Sequence, residues 1–184
     1  MVTLQFDGQF HEHVPCGYDN DQPNLARAGL MGYGWLIYQD TRQIARGWGA
    51  FAQGKNAASN IAEYLALIEG LEALLDINIK DQKVEVRGDA RGVIDQMAGL
   101  APVHSQNTLP FFRRAKRLAV HYAWLQWVWI PRRSNKNADY LSRKAIRQMH
   151  AIPGAYRNAI ETIVPGWSKL LPVIDLRIYQ PIQA

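Results

Sequence analysis

The sequence predicts an α/β fold in which helices flank a five-stranded mixed sheet. Five short segments are rich in apolar, β-branched and aromatic residues and have the length of strands, and the segments between them include several with apolar residues at helical spacing. Their order is β-β-β-α-β-α-α-β-α, an antiparallel meander followed by strands that alternate with helices. With 184 residues, the chain is long enough for one domain with a substantial core.

The first three strands form the antiparallel part of the predicted sheet. Residues 2–7 alternate apolar and polar side chains, as a half-buried strand does. Residues 8–31 contain glycine, proline, asparagine and aspartate without periodicity, which predicts a long loop. Residues 32–38 and 43–52 predict the two strands of a hairpin joined across the dipeptide DT.

The first helix is predicted to begin at Asn60 and to end near Ile77, with Ser59 or Asn60 as its N-cap. Leucine and isoleucine recur there every three or four residues, so that one face of the helix is apolar. Residues 83–89 then predict a short strand, and residues 91–98 predict a short helix.

The third helix and the fifth strand follow. Residues 108–122 predict the helix, with Pro110 in its first turn, where a missing N–H is tolerated. Residues 124–130 predict the strand, which contains three tryptophans, Trp124, Trp127 and Trp129. These side chains could stack on nucleic-acid bases. Because they have mixed parity within one strand, we expect them to fill the core on both faces of the sheet instead.

A final helix, capped by Ser134 or Asn135, is predicted to end near Met149. It completes a predicted domain of residues 1–149. The cap is inferred from residue type, because short polar side chains accept hydrogen bonds from the first N–H groups of a helix.

Residues 150–184 predict a C-terminal extension of unknown role rather than an independent domain, because the hydrophobic pattern weakens there and prolines interrupt it. A short helix over 155–164 and a last strand over 172–179 are expected. We expect the extension to pack on its own sheet rather than to pair with another subunit or to contact substrate.

The bulk composition restricts the class of protein. The chain carries a net charge of +5, and its hydrophobic share of 48% is that of an ordinary soluble globular protein. No apolar run approaches the length of a membrane span, and the first residues lack a secretory pattern. The single cysteine, Cys16, excludes an internal disulfide framework and fits a reducing compartment. We therefore expect a cytoplasmic protein without membrane association.

Positive charge is concentrated in two segments. Arginine and lysine cluster at residues 113–117, and further cations flank Asp139 within residues 132–147. A solvated helix face accounts for the first cluster, whereas the second fits phosphate binding next to an acidic site. A nucleic acid is therefore the expected partner.

Four acidic residues stand where a divalent-metal site needs them, namely Asp7, Glu63, Asp89 and Asp139. Asp7 and Asp89 each end a predicted strand next to a glycine. If the two strands are parallel neighbours, their ends lie about 4.8 Å apart, and the carboxylates repel each other unless a cation neutralises them. Glu63 and Asp139 each lie in the first turn of a predicted helix. Singly, an Asp-Gly pair is typical of a turn and an acid in the first helical turn is favoured by the macrodipole, so only the ordered set of four indicates a metal-dependent nuclease.

Several motifs of the chain resemble type 1 ribonuclease H, from about residue 2 to residue 148. They are DG after the first strand, SNIAEYLAL, VRGDAR and IPRRSNKNADYLS. The resemblance implies a ribonuclease H-like fold and an endonuclease that cuts the RNA strand of an RNA–DNA hybrid with two Mg²⁺ or Mn²⁺ ions, leaving 5′-phosphate and 3′-hydroxyl ends. Two such ions can act on the attacking water and the leaving oxygen, and both ions prefer hard oxygen ligands. The resemblance also implies that the four acids are the metal-binding and catalytic residues.

The substrate-binding residues are likewise implied by the resemblance. Gly8, Ser59, Asn60 and Arg91 are expected along the minor groove of the hybrid, where ribose 2′-hydroxyls distinguish RNA from DNA. For Asn60, a helix N-cap is the structural alternative, and the two roles are compatible.

The chain departs from bacterial members of that family in several places. The loop before Asp139 contains no histidine, as in archaeal-like members, and we hypothesise that Arg132 or Arg133 places positive charge near the scissile phosphate instead. The basic helix that helps bacterial members to hold substrate is absent. Ala58 stands where a hydroxyl residue often contacts a DNA phosphate, and the loop at residues 10–28 is longer than the usual turn.

The sequence thus predicts a monomeric, metal-dependent ribonuclease that acts on RNA–DNA hybrids. Two alternatives stay open, a DNA-directed nuclease on the same fold and a module that binds hybrids without cutting them. The groove residue Asn60 argues against the first. The four acids argue against the second, because pure binding gains nothing from negative charge that faces phosphates.

Overall fold

The computed structural model describes residues 1–12, 29–53, 58–151 and 171–179. Their elements, in chain order, are β1 (Val2–Glu12), β2 (Gly29–Gln39), β3 (Arg42–Gln53), α1 (Ser59–Asp76), β4 (Lys83–Gly88), α2 (Arg91–Met97), α3 (Leu109–Ala119), β5 (Trp124–Trp129), a 3₁₀ turn (Arg132–Ser134), α4 (Lys136–Ala151) and β6 (Leu171–Tyr179). The succession from β1 to α4 is the one predicted. The short helix predicted over 155–164 lies outside the described residues.

All the described strands form one mixed sheet with the order β5-β4-β1-β2-β3-β6. β1 pairs with β4, and β4 with β5, in parallel, whereas β2, β3 and β6 add antiparallel strands on the other side of β1. Strands β1 to β5 and the helices around them confirm the predicted five-stranded mixed sheet. The C-terminal extension adds β6 at the β3 edge, so this part of the extension packs on its own sheet as expected.

The loop predicted over residues 8–31 is wrong at both ends, because β1 continues to Glu12 and β2 begins at Gly29. The two strands form one antiparallel ladder along their full length. This pairing satisfies the backbone hydrogen bonds of a segment whose glycines and lack of periodicity favoured a loop. Residues 13–28 of the predicted loop lie outside the described residues.

The predicted cap of α1 is wrong. The helix begins at Ser59, and its N-cap is Ala58, whose backbone is extended and whose side chain makes no capping hydrogen bond. Ser59 and Asn60 are therefore both helical residues. As a consequence Glu63 lies beyond the first turn, where the macrodipole acts on it less than predicted.

Helices cover both faces of the sheet. α1, α2 and α3 pack on one face, against fully buried side chains that include Phe6, Tyr33 and Trp35. α4 packs on the opposite face over β2 and β3, in a second apolar cluster that includes Trp48 and Leu141. Among the helices in the described ranges, none is long and apolar enough to cross a bilayer.

Gly34 allows the first half of α4 to lie directly against β2. A Cβ at Gly34 would lie 2.6 Å from the Cβ of Leu141 and 2.7 Å from the backbone nitrogen of Ser142. Because backbone atoms cannot move aside as a flexible side chain can, a larger residue would push α4 away from the sheet. The glycine thereby fixes how close the residues of α4 come to β1.

Two of the three tryptophans of β5 do not fill the core as predicted, whereas Trp127 packs against it. Trp124 and Trp129 are exposed, at 63% and 44%, and Trp127 is partly buried. β5 is the outermost strand on its side of the sheet, so its faces are covered only in part. Parity alone could not show this, because it does not reveal whether a strand is central or at an edge.

Candidate active site

Asp7 and Asp89 lie side by side where the parallel pairing of β1 with β4 stops. The last paired residues are Phe6 and Gly88, and the two aspartates follow them directly. Asp89 follows the end of β4, as predicted. Asp7 does not end its strand, because β1 continues along β2 on its other side. The proximity therefore results from the end of one pairing rather than from the ends of two strands.

α1 brings Glu63 to the same place because Gly8 lets the helix approach β1. A Cβ at Gly8 would lie 2.2 Å from both the carbonyl carbon of Ala62 and the backbone nitrogen of Glu63. The Gly8 N–H also donates a hydrogen bond to the Glu63 carboxylate. One carboxylate oxygen from each of Asp7, Glu63 and Asp89 lies within 4.8 Å of the others.

Burial and neighbouring negative charge disfavour the ionised forms of Asp7 and Glu63. Burial raises the pKa of Asp7 to about 7, and the charges of Asp89 and Asp139 add to the increase. Burial and the charges of Asp7 and Asp89 raise the pKa of Glu63 well above its ordinary value. Within the described part of the chain, Oε2 of Glu63 is buried and accepts no hydrogen bond. A divalent cation with a preference for oxygen ligands would supply the missing partner and neutralise the repulsion.

Asp139 lies beside this cluster but not within it. It is in the first turn of α4, as predicted, and its carboxylate pairs with Arg132 at 2.6 Å and with Arg143 at 2.8 Å. Gln9 also donates to it, at 3.2 Å. Although partial burial favours the neutral acid, hydrogen bonds from the two arginines hold the pKa of Asp139 below its ordinary value. The structure thus brings three of the four predicted acids together and holds the fourth on arginines at the edge of the site.

Two buried polar side chains orient the aspartates. Asn135 directly precedes α4, but its side-chain N–H donates to Asp89 Oδ1 at 2.9 Å and to a main-chain carbonyl oxygen of β1 at 2.8 Å. Asn135 stands at the predicted cap position, where its main-chain carbonyl oxygen accepts from the Asp139 N–H, but its Oδ1 makes no described hydrogen bond, so the side-chain cap is missing; Ser134 lies in the 3₁₀ turn. The hydroxyl of Ser142 donates to the Asp7 carboxylate. Both Asn135 and Ser142 are fully buried.

Sequence analysis gave Ser142 no role and gave Asn135 only that of a cap. Both residues lie in the motif IPRRSNKNADYLS, so the signal was present. Ser142 follows Asp139 by three residues and shares the buried face of α4 with Ala138 and Leu141. A polar residue on an otherwise apolar helix face indicates a buried hydrogen-bond partner.

The carboxylates open onto a cleft of about 480 Å³. Three predicted substrate-binding residues line it, namely Gly8, Ser59 and Arg132. The other three are exposed and lie outside its described lining, namely Asn60, Arg91 and Arg133. Four lining residues had no predicted role in this site, namely Gln9, Phe10, His11 and Ala90, and Arg143 was predicted only as one of the cations that flank Asp139. The first three of these follow Asp7 in the part of β1 that the sequence did not predict.

A family described as reverse transcriptase-like matches residues 24–145 of the chain. The bifunctional protein Rv2228c of Mycobacterium tuberculosis is 29% identical over 154 residues, which cover 80% of this chain and 42% of that protein. Ribonuclease HI of Halobacterium salinarum is 30% identical over 127 residues, which cover 68% of this chain and 61% of that protein. The chain therefore spans less than two thirds of the length of these relatives.

Solved structures share the fold. RNase H1 from Halobacterium salinarum has a TM-score of 0.62 at 27% identity, and the match covers 80% of this chain and 98% of that one. LC11-RNase H1, isolated from compost and solved in complex with an RNA/DNA hybrid, has a TM-score of 0.63 at 26% identity with the same coverage of 80% and 98%. In both cases nearly all of the other chain is matched, so the likeness extends over a whole domain.

Proposed function

Because the chain belongs to the reverse transcriptase-like family, as a homologue of type 1 ribonucleases H with their fold, we propose that it is an endonuclease that hydrolyses the RNA strand of RNA–DNA hybrids. The observation that carries this proposal is the group of three carboxylates from β1, α1 and β4 whose oxygens lie within 4.8 Å of one another. We assign the reaction to two-metal-ion catalysis with Mg²⁺ or Mn²⁺, and the products to 5′-phosphate and 3′-hydroxyl ends.

Asp7, Glu63 and Asp89 fit a divalent ion by their chemistry. Their oxygens are hard ligands, burial and the neighbouring carboxylates raise the pKa values of Asp7 and Glu63, and Oε2 of Glu63 has no described partner. When bound, two such ions would activate the attacking water and stabilise the leaving oxygen. Asn135 and Ser142 hold the two aspartates from buried positions, so the ligands are oriented before an ion arrives.

Asp139 is proposed as the fourth acidic ligand, which requires its carboxylate to exchange arginine partners for an ion. The arginines are largely in solvent, with 64% of the Arg132 side chain and 50% of the Arg143 side chain exposed. Solvent screens the arginine side of each pair, although the Asp139 side chain itself is only 17% exposed. The exchange would leave both guanidinium groups free to face a phosphate.

Arg132 is the cation that we place near the scissile phosphate. It lines the cleft, whereas Arg133 does not, and the loop that carries both contains no histidine. A guanidinium group binds a phosphate through two parallel hydrogen bonds. Arg143 adds a second positive group on the same edge of the cleft.

Recognition of the hybrid is assigned to the residues around the start of α1 and α2. Gly8 and Ser59 line the cleft, the exposed Asn60 follows Ser59, and the exposed Arg91 follows the lining residue Ala90. We place these four along the minor groove, where 2′-hydroxyl groups mark the RNA strand. The complex of LC11-RNase H1 with an RNA/DNA hybrid supports the choice of substrate.

The remaining assignments concern organisation. We propose that residues 1–149 form the catalytic domain, that residues 150–184 are an extension whose strand β6 completes the sheet, and that the protein acts as a cytoplasmic monomer. Light scattering coupled to size-exclusion chromatography tests the monomer directly, since a dimer would give twice the chain mass of 20.9 kDa.

The decisive experiment is cleavage of a labelled RNA–DNA hybrid beside the matching double-stranded DNA, double-stranded RNA and single-stranded RNA, with Mg²⁺ or with EDTA. Only the hybrid with Mg²⁺ should be cut. Asp89→Asn should lower cleavage by at least about 100-fold while hybrid binding persists, because the ligand set loses a charge. Asp81→Asn, an exposed carboxylate outside the cleft, is the matched control. Cleavage of double-stranded DNA alone would identify a DNA-directed nuclease, and binding without cleavage would identify a binding module.

A further inference from the structure

Trp129 has an exposed indole in contact with the main chain of Asp89, one of the three clustered carboxylates. It is the last residue of β5, it pairs in register with Gly88, and 44% of its surface is exposed. Its Nε1–H donates to the main-chain carbonyl oxygen of Asp89 at 3.1 Å. The guanidinium carbon of Arg91 lies 5.5 Å from the centroid of the indole ring. The ring is therefore fixed by two contacts to the segment that carries a proposed metal ligand.

Stability does not account for this arrangement. A hydrogen bond and a cation–π contact that are both exposed to water stabilise a fold only weakly. An indole with nearly half its surface in solvent also loses much of the hydrophobic gain that tryptophan provides in a core. Exposed aromatic side chains next to a cationic groove are, in contrast, the surfaces on which nucleotides stack.

We propose that Trp129 and Arg91 form a nucleotide-binding subsite next to the metal site. The indole packs against the ribose or base of a nucleotide beside the scissile phosphate, and Arg91, whose side chain is 73% exposed, donates to the backbone of the same nucleotide. The inference rests on the proposed function, because it assumes that a nucleic acid occupies the cleft. It gives Trp129 a binding role in place of the core position that its parity predicted.

Trp124 provides a matched control within the same strand. It is the first residue of β5, pairs in register with Lys83 and is 63% exposed. The two tryptophans are five residues apart, which corresponds to roughly 16 Å along a strand, and their opposite parity places them on opposite faces. Substitution of Trp124 therefore removes an exposed indole from the same edge strand without altering the cleft.

The test compares the wild-type chain with Trp129→Ala, Trp129→Phe and Trp124→Ala. We would measure KM and kcat for cleavage of a labelled RNA–DNA hybrid in Mg²⁺, the Kd for the same hybrid in EDTA by fluorescence anisotropy, and the Mg²⁺ concentration that half-maximally raises Tm. Trp129→Ala should raise KM and Kd about tenfold, within the range of roughly 5- to 150-fold found when a base loses its aromatic partner. Its kcat and its Mg²⁺ midpoint should stay near the wild-type values. Trp129→Phe should keep most of the affinity, because a phenyl ring still stacks, and Trp124→Ala should match the wild type.

Several results would overturn the subsite. One is an unchanged KM and Kd in Trp129→Ala, and another is an equal loss of hybrid affinity in Trp124→Ala. A third is a shifted Mg²⁺ midpoint in Trp129→Phe, since that shift would show that the indole only positions Asp89. If circular dichroism shows that Trp129→Ala is unfolded, Trp129→Leu replaces it, because leucine keeps apolar bulk at this position. The same rise in KM and Kd is expected for Trp129→Leu. If the wild type cleaves hybrid and the variants match it, the subsite alone is wrong. If the wild type neither binds nor cleaves hybrid, the proposed function and the subsite fail together.

Discussion

Replacing Asp7 by asparagine should stabilise the metal-free protein at neutral and alkaline pH. Burial raises the pKa of Asp7 from 3.8 to about 7, so the folded state holds this proton more tightly than the unfolded state does. Stability therefore falls as pH rises between about 4 and 7, and the full penalty is present above that range. A pKa difference of about three units, at about 1.4 kcal/mol per unit, lowers the free energy of unfolding by about 4 kcal/mol at pH 8. At pH 5 the same difference lowers it by about 2 kcal/mol. Asparagine has nearly the same shape, carries no charge and can still accept the hydrogen bond from Ser142.

The assay is urea denaturation in EDTA at pH 5 and pH 8 for the wild type, Asp7→Asn and the control Asp81→Asn. Asp7→Asn should gain free energy of unfolding at both pH values and more at pH 8, whereas the exposed Asp81 should give no difference. Mg²⁺ should reduce the difference in free energy of unfolding between Asp7→Asn and the wild type. An ion at 100 times its Kd stabilises the wild type by about 2.7 kcal/mol, and it stabilises the variant by less.

A variant that is less stable than the wild type in EDTA at pH 8 would refute this reasoning. So would a difference that is equal at pH 5 and pH 8. Either outcome would mean that the folded protein compensates the Asp7 charge without an ion, and the electrostatic case for a metal site would be lost.

Three further predictions concern the cleft and the sheet. Arg132→Ala should lower kcat/KM for hybrid cleavage about tenfold while Arg133→Ala leaves it unchanged, since of these two arginines Arg132 is the one that lines the cleft and pairs with Asp139; equal kinetics of the two variants would contradict this. Gly8→Ala should lower the free energy of unfolding by about 1–3 kcal/mol and reduce cleavage, because its Cβ would lie 2.2 Å from the backbone of α1; unchanged urea denaturation would exclude the close approach. Deletion of residues 171–184 should lower Tm by at least about 3 °C without weakening hybrid binding, since β3 loses its ladder partner, and thermal denaturation that matches the full chain would show that β6 adds no stability.

The order of the elements and the elements that carry the four acids follow from the sequence. Apolar periodicity and turn residues are properties of short segments, and they predicted the meander, the crossover helices and the hairpin. The motif around Asp139 even contained the two residues that orient the aspartates, Asn135 and Ser142. Their roles were missed because the hydrogen-bond partners lie more than 40 residues away in the chain.

Element ends depended on tertiary contacts. β1 extends beyond Asp7 because β2 pairs with it throughout, although local composition favoured a loop. α1 begins at Ser59 without a side-chain cap. Most helical stability comes from packing an apolar face rather than from local preferences such as caps, so the residue that begins a helix is weakly encoded locally.

Only the tertiary structure decided which carboxylates share a site. It brings together Asp7, Glu63 and Asp89, leaves Asp139 on two arginines at the edge, and leaves Trp129 partly in solvent against the main chain of Asp89. The sequence determined that these residue types occur on these elements. Distances between charges, and the burial that raises their pKa values, arise from the packing of segments far apart in the chain, and no local pattern records them.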